Sequence, residues 1–241
     1  MKNFNIIGHG LLGLFMAIGI ALGGYFVSNI LLNANKDTAE AKGLSERRVE
    51  ANQAIWTIGY GRWAENDSSF SVSNLYLNVE MDQKSIITAL KEVGLTDEEI
   101  NVGTLEYSSK DFRSEDNVLM ESRRYLSGNI NVETNNVRLI PKARAILNKL
   151  IAKGVSVDNN NPRYFFTELN KIKPEMLKEA TVNAKIAAEE FAKVASVKVG
   201  GIENARQGNF NITDANEDYS STSKIEKDVR VVTTIKFYLA K

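Results

Sequence analysis

From Asn3 to Asn35 the chain carries no Asp, Glu, Lys or Arg, and Leu11–Leu32 (LLGLFMAIGIALGGYFVSNILL) is 22 residues of almost unbroken apolar character. A helix of about 20 residues spans the roughly 30 Å hydrocarbon core of a bilayer. The run therefore reads as one transmembrane signal anchor, residues 11–32, after a short tail, 1–10. Its glycines at 13, 19, 23 and 24 would weaken a helix in water but are common in membrane spans. Gly19 and Gly23 form a G-x-x-x-G pair, a candidate contact between two such helices. A cleaved signal peptide competes with this reading, but its apolar region is about 7–15 residues long and ends at a small-x-small site. Here the run is longer and Leu32-Asn33-Ala34 is a poor site. Orientation stays open on charge alone, because Lys2 favours a cytoplasmic N-terminus while Lys36, Lys42, Arg47 and Arg48 pull the other way.

The only histidine is His9, just before the apolar run, and there is no cysteine. A folded part beyond the anchor then has no imidazole and no thiolate, which removes Ser-His-Asp triads, histidine bases, and His- or Cys-ligated metal sites. Carboxylate, lysine and tyrosine chemistry survive. The 30 Lys plus Arg balance the 30 Asp plus Glu, so no strong field is available to draw in nucleic acid. No cofactor, metal or nucleic-acid partner is expected.

Residues 33–41 are small, polar and without period, a stalk. Arg48–Trp63 reads as one long strand, with a bulge or bend at Gly59 and Gly61. Ser68–Val93 has a helical stripe closed by Gly94. A capped turn at Thr96–Glu99 leads to a strand through Ile100, Val102, Leu105 and Tyr107, and the polar run Ser108–Asn117 reads as a loop. Ser122–Val137 alternates as a strand, and Leu139–Lys153, with Pro141 early and Gly154 after the end, reads as a helix. A strand at Pro162–Leu169 precedes an Ala-rich helix that Pro174 opens and that runs to about Ser196. Strands near Val197–Ile212 and Lys227–Ala240, with a polar loop at Asp214–Ser223 between them, complete an α+β domain, helices on a mainly antiparallel sheet. A βαβα subdomain at about 122–196 fits within it.

Three stretches carry a resemblance: Lys42-Gly43-Leu44-Ser45-Glu46-Arg47-Arg48-Val49 entering the first strand, the helix-turn-strand from Leu90 to Leu105 with Gly94 and Ile100, and the helix from Pro174 ending in Val197-Lys198-Val199-Gly200. In this order and spacing they resemble the SIMPL domain family of bacterial envelopes, over nearly all of residues 42–240 of a domain spanning 42–241. The sequence departs from that pattern at Arg124-Tyr125, where many members have a Gly before the Tyr, and in the Asn-rich loop Asn159–Pro162. The resemblance implies export or membrane anchoring, with the C-terminal domain outside the cytoplasm. It also implies a habit of forming homo-oligomers and, in some members, a link to stress tolerance. It implies no catalytic residues.

The residues offer few sites of their own. Glu189-Glu190 are about 100° apart around a helix and do not converge, and Lys185, Glu189 and Lys193 form a solvated i,i+4 series. Asp97, Glu98 and Glu99 lack the alternation of a calcium loop and suit capping. Arg47-Arg48 and Arg123-Arg124 could meet lipid or a partner. Trp56, Tyr60 and Trp63, placed on one face of the first strand, are core residues or else an oligomer interface or ligand groove. A non-enzymatic envelope protein that self-assembles or binds another envelope protein is the expected function. A carboxylate-dependent hydrolase of envelope glycans and a small-ligand-binding module are the alternatives.

Overall fold

The computed structural model describes residues 3–34, 37–65, 70–159, 161–219 and 221–240, with side chains in the first helix from Leu12 to Ser28 and without that of Asn159. The elements in order are α1 (Asn3–Ala34), β1 (Thr38–Glu50), β2 (Gln53–Glu65), α2 (Val72–Glu92), β3 (Ile100–Val102), β4 (Glu106–Arg113) and β5 (Leu119–Thr134). Then come α3 (Leu139–Ala152), β6 (Val157–Asn159), β7 (Arg163–Phe165), α4 (Leu169–Val194), β8 (Lys198–Gln207), β9 (Asn211–Asp214) and β10 (Glu226–Ala240). They form two compact units: residues 46–174 with 210–230, and residues 1–45 with 175–209 and 231–241. The expected subdomain at 122–196 is not one of them, because its last helix is divided between the two.

In the larger unit, β2 is an inner strand. It pairs antiparallel with β5 from Ala54↔Thr134 to Glu65↔Arg123 on one side, and with β7 and β6 on the other. β3 and β4 follow each other along the outer edge of β5. Side chains alternate across a strand, so Ala54, Trp56, Ile58 and Tyr60 all point into a core closed by Leu75, Val79, Ile86 and Leu90 of α2 and Ile140 and Leu147 of α3. Local chemistry sets the helix ends. The Ser71 hydroxyl accepts from Asn74 N–H as the N-cap of α2, and Gly94, at φ +109°, turns the chain out of it. Arg62 donates twice to buried Asp82 in the middle of α2, at 2.6 and 2.8 Å, and once to Gly154 O just past the end of α3, tying the strand to both helices.

In the smaller unit the sheet runs β1-β10-β8. Met176, Ala180, Ala184, Ala188 and Ala192, four apart, are the buried stripe of α4. Small side chains there let the backbones close up: a Cβ on Gly43 of β1 would stand 1.8 Å from Ala180 O.

Several expectations are corrected. β1 begins at Thr38, inside the segment read as a stalk, and the single strand over 48–63 is two, broken at Ala51-Asn52. No bulge occurs at Gly59 or Gly61, since β2 keeps register through both; glycine at 61 is needed because a Cβ would meet Leu126 O at 2.8 Å. The supposed loop Ser108–Asn117 is strand to Arg113. α4 starts at Leu169, before Pro174, whose ring removes one backbone hydrogen bond but leaves the turn ahead of it wound.

α1 has 32 residues. Among the described residues no helix is long and apolar enough to cross a membrane; Leu11 and residues 29–32 of the expected span have side chains outside that description.

Trp56→Ala removes a fully buried indole and should cost about 3–5 kcal/mol in urea unfolding. Gly43→Ala should cost about 1–3 kcal/mol by overpacking α4, whereas Gly201→Ala, with open space around it, should change little.

Candidate functional site

The strongest polar feature is a buried ion pair. Lys227 and Asp214, opposite each other where β10 pairs with β9, are 2% and 0% exposed in their side chains, and the ammonium donates to Asp214 Oδ1. Asp214 Oδ2 accepts from the N–H groups of Ser223, at 2.8 Å, and Lys224, at 3.1 Å. Burial alone would raise the carboxyl's pKa, but the Lys227 ammonium, with help from Ser221, Ser223 and Lys224, outweighs it and holds the group below its ordinary value. A carboxylate so held is neither a general acid nor a free base at neutral pH.

Beside the pair opens a polar cleft of about 520 Å³, lined by Glu46, Arg48, Asn216, Glu217, Asp228 and Arg230 among others. Arg48 forks onto Asp228, with 2.8 and 2.9 Å bonds, and donates to Asn216 Oδ1 at 2.8 Å. The hydrogen bond from Arg48, seconded by Asn216 N–H, lowers the Asp228 carboxyl to about 2. Glu217 pairs with Lys224 at 2.8 Å. A second concavity, about 440 Å³, is lined by Ile55, Tyr164, Phe165, Phe166, Ile212 and Lys227. Among the described residues no cluster of three or more His, Cys, Asp or Glu could hold a metal ion.

The sequence candidates scatter. Trp56 and Tyr60 are core residues of β2 and present no surface. Trp63 is not on their face: three positions after Tyr60, it points to the other side, 54% exposed, and stacks on Tyr125 at 4.3 Å. Gly19 and Gly23 have open space around them. Glu189 pairs with Lys185 at 3.6 Å. Glu99 is a capping group, accepting from Thr96 N–H at 2.9 Å and the Thr134 hydroxyl at 2.5 Å. Arg123 pairs with Glu121, and Arg124 lies 3.7 Å from Asp111.

What sequence reasoning passed over is the β4–β5 ribbon. β4 is exposed on both faces at every residue but Phe112 and, among the described residues, is paired on one edge only. At the turn beyond it Val118, Leu119 and Met120 are exposed, Met120 by 71%. Tyr107 adds a half-exposed ring. An edge strand with free backbone groups and apolar side chains at its tip is chemically a pairing surface. The one sequence signal was the cluster Val118-Leu119-Met120 within a polar stretch.

The family model SIMPL, described as a protein of unknown function (DUF541), matches residues 40–237. None of the curated proteins matches. Among solved structures, a protein from Burkholderia cenocepacia provisionally described as an amidohydrolase/peptidase is 9% identical, with 57% of this chain and 32% of that one covered and a TM-score of 0.22. An amidase of the hydantoinase/carbamoylase family from Burkholderia multivorans gives 11%, 57%, 31% and 0.20. A hydrolase from Listeria innocua gives 10%, 81%, 92% and 0.21. The chain spans about a third of the length of the two Burkholderia proteins. Likenesses this remote carry no argument about activity.

Lys227→Met would leave a buried carboxylate without its partner and should cost about 3–5 kcal/mol in unfolding experiments. The Asp228 carboxyl binds its proton more weakly in the fold than in the unfolded chain. Its contribution is therefore whole above about pH 4 and is lost as pH falls towards about 2. Arg48→Gln should shrink that acid-side loss, read as a smaller drop in Tm between about pH 4 and pH 2 than in the parent.

Proposed function

We propose that this chain, which belongs to the SIMPL family, is a membrane-anchored, non-enzymatic protein of the cell envelope that acts through self-assembly or by binding another envelope component. The observation that carries the reading is the β4–β5 ribbon, with a free strand edge and an exposed apolar tip. Anchoring is supported by the uncharged run from Asn3 to Asn35 and by the 32-residue helix α1. Placement of the domain outside the cytoplasm, and a part in stress tolerance, are read from the family resemblance. In such an arrangement Gly19 and Gly23 offer a small-residue face to a neighbouring span.

The hydrolase reading has less to stand on. Glycan hydrolysis takes two carboxyl groups roughly 5–9.5 Å apart, one of them held protonated. The described carboxyls with the clearest environments, Asp214 and Asp228, are both pushed the other way, towards the ionised form. A small ligand in the groove at Phe165 and Phe166 is a further alternative.

Deleting residues 1–35 should move the protein from the membrane fraction to the supernatant while leaving the domain folded. A folded product that stays with membranes would sink the anchor. The full chain in detergent should run as an assembly by light scattering, and a strict monomer at all concentrations would sink self-assembly and turn the search to a partner.

A further inference from the structure

We infer that β4 is the seam of a two-fold dimer, in which its free edge pairs antiparallel with β4 of a second copy, centred on Ser109. This deepens the self-assembly reading and rests on it. Four observations lead to it. Among the described residues β4 is hydrogen-bonded to β5 alone, which leaves its other edge open. Ser114 N–H donates to Val118 O across the turn, and alternation along an extended strand then turns the backbone groups of Tyr107, Ser109, Asp111 and Arg113 away from β5. Residues 106–113 contain no glycine or proline to block pairing. Among the described residues, neither Glu106 nor Lys110 has an ionic partner, although Lys110 sits over the Phe112 ring at 5.0 Å.

Antiparallel neighbours must share a face, which restricts a two-fold seam to registers centred on a residue. Centring on Ser109 sets Ser108 opposite Lys110, Tyr107 opposite Asp111 and Glu106 opposite Phe112. On the diagonals, where long side chains still reach each other, Glu106 meets Lys110 of the second copy and Tyr107 meets its Arg113, each contact made twice, against one diagonal between the two Lys110 side chains. Centring on Lys110 would set two lysines face to face, and centring on Asp111 two aspartates, both unfavourable. Centring on Ser108 sets Glu106 opposite Lys110 but leaves Asp111, Phe112 and Arg113 without partners in β4. The Ser109 register also carries the Val118–Met120 tip of each copy towards the level of β3 on the other, where Val102 is exposed. Isologous contact of this kind is what closed two-fold symmetry requires.

The chain has no cysteine, so one introduced thiol reports the seam directly. In the Ser109 register the two Ser109 Cα atoms are about 4.5–5.5 Å apart, within disulfide range. In the full-length protein in detergent, Ser109→Cys should form a covalent dimer under mild oxidation about tenfold or more faster than Glu92→Cys, an exposed control at the end of α2, because pairing raises the local thiol concentration. Glu106→Lys should weaken the dimer, and Glu106→Lys with Lys110→Glu should restore it. Cross-linking of Ser109→Cys no faster than the control, in a protein that light scattering shows to be assembled, would overturn the β4 seam and leave self-assembly standing. A monomer at every concentration would overturn both.

Discussion

The larger unit depends on β2 being bonded along both edges. A strand with β5 along its whole length on one side, and with β7 at Gln53–Ile55 and β6 at Ile58–Tyr60 on the other, has its register fixed from two directions. Because side chains alternate with period two, that register decides at once that Ala54, Trp56, Ile58 and Tyr60 lie under α2 and α3. A slip of one residue would bring Thr57 and Ile55 into the core and put an indole in water. The Arg62–Asp82 fork adds a polar lock at the far end, where the even-numbered row reaches the rim of the core and a charged group replaces an apolar one.

The Lys227–Asp214 pair belongs to the same unit and is of a different kind. Two charges taken out of water gain little net stability over an apolar pair, but they permit few alternatives. Asp214 is satisfied only when the chain from Ser221 to Lys224 returns to donate to it, so the pair selects one path for the loop between β9 and β10. In the cleft beside that loop the Arg48 and Asp228 charges are already spent on each other.

Much of this was legible in the sequence where one face is covered. Trp56 and Tyr60 are four apart in an alternating run and were read as sharing a face, which they do. Trp63 was grouped with them although an odd step separates it from Tyr60, and parity alone would have set it apart. The alanines of α4 recur every four residues, and they are the side of the helix that meets a backbone. Most of β4, Ser108 to Arg113, reads as a loop because neither of its faces is covered and so no period is imposed on it. The start of β1 was missed for a related reason: its small polar residues find their pairing partner in β10, nearly the length of the chain away. Asp214 reads as a loop residue and Lys227 as the start of a strand, and nothing marks them as a pair until the fold buries them together.

The early start of β1 also shortens the connection to α1. Helix ends at Ala34 and strand begins at Thr38, so four peptide steps join them, a span of at most roughly 14 Å even when fully drawn out. A long polar spacer would let a domain wander and tumble like a float on a line. Here the connection is a short leash: whatever fixes α1 also fixes, to within that radius, where the first strand of the domain can be.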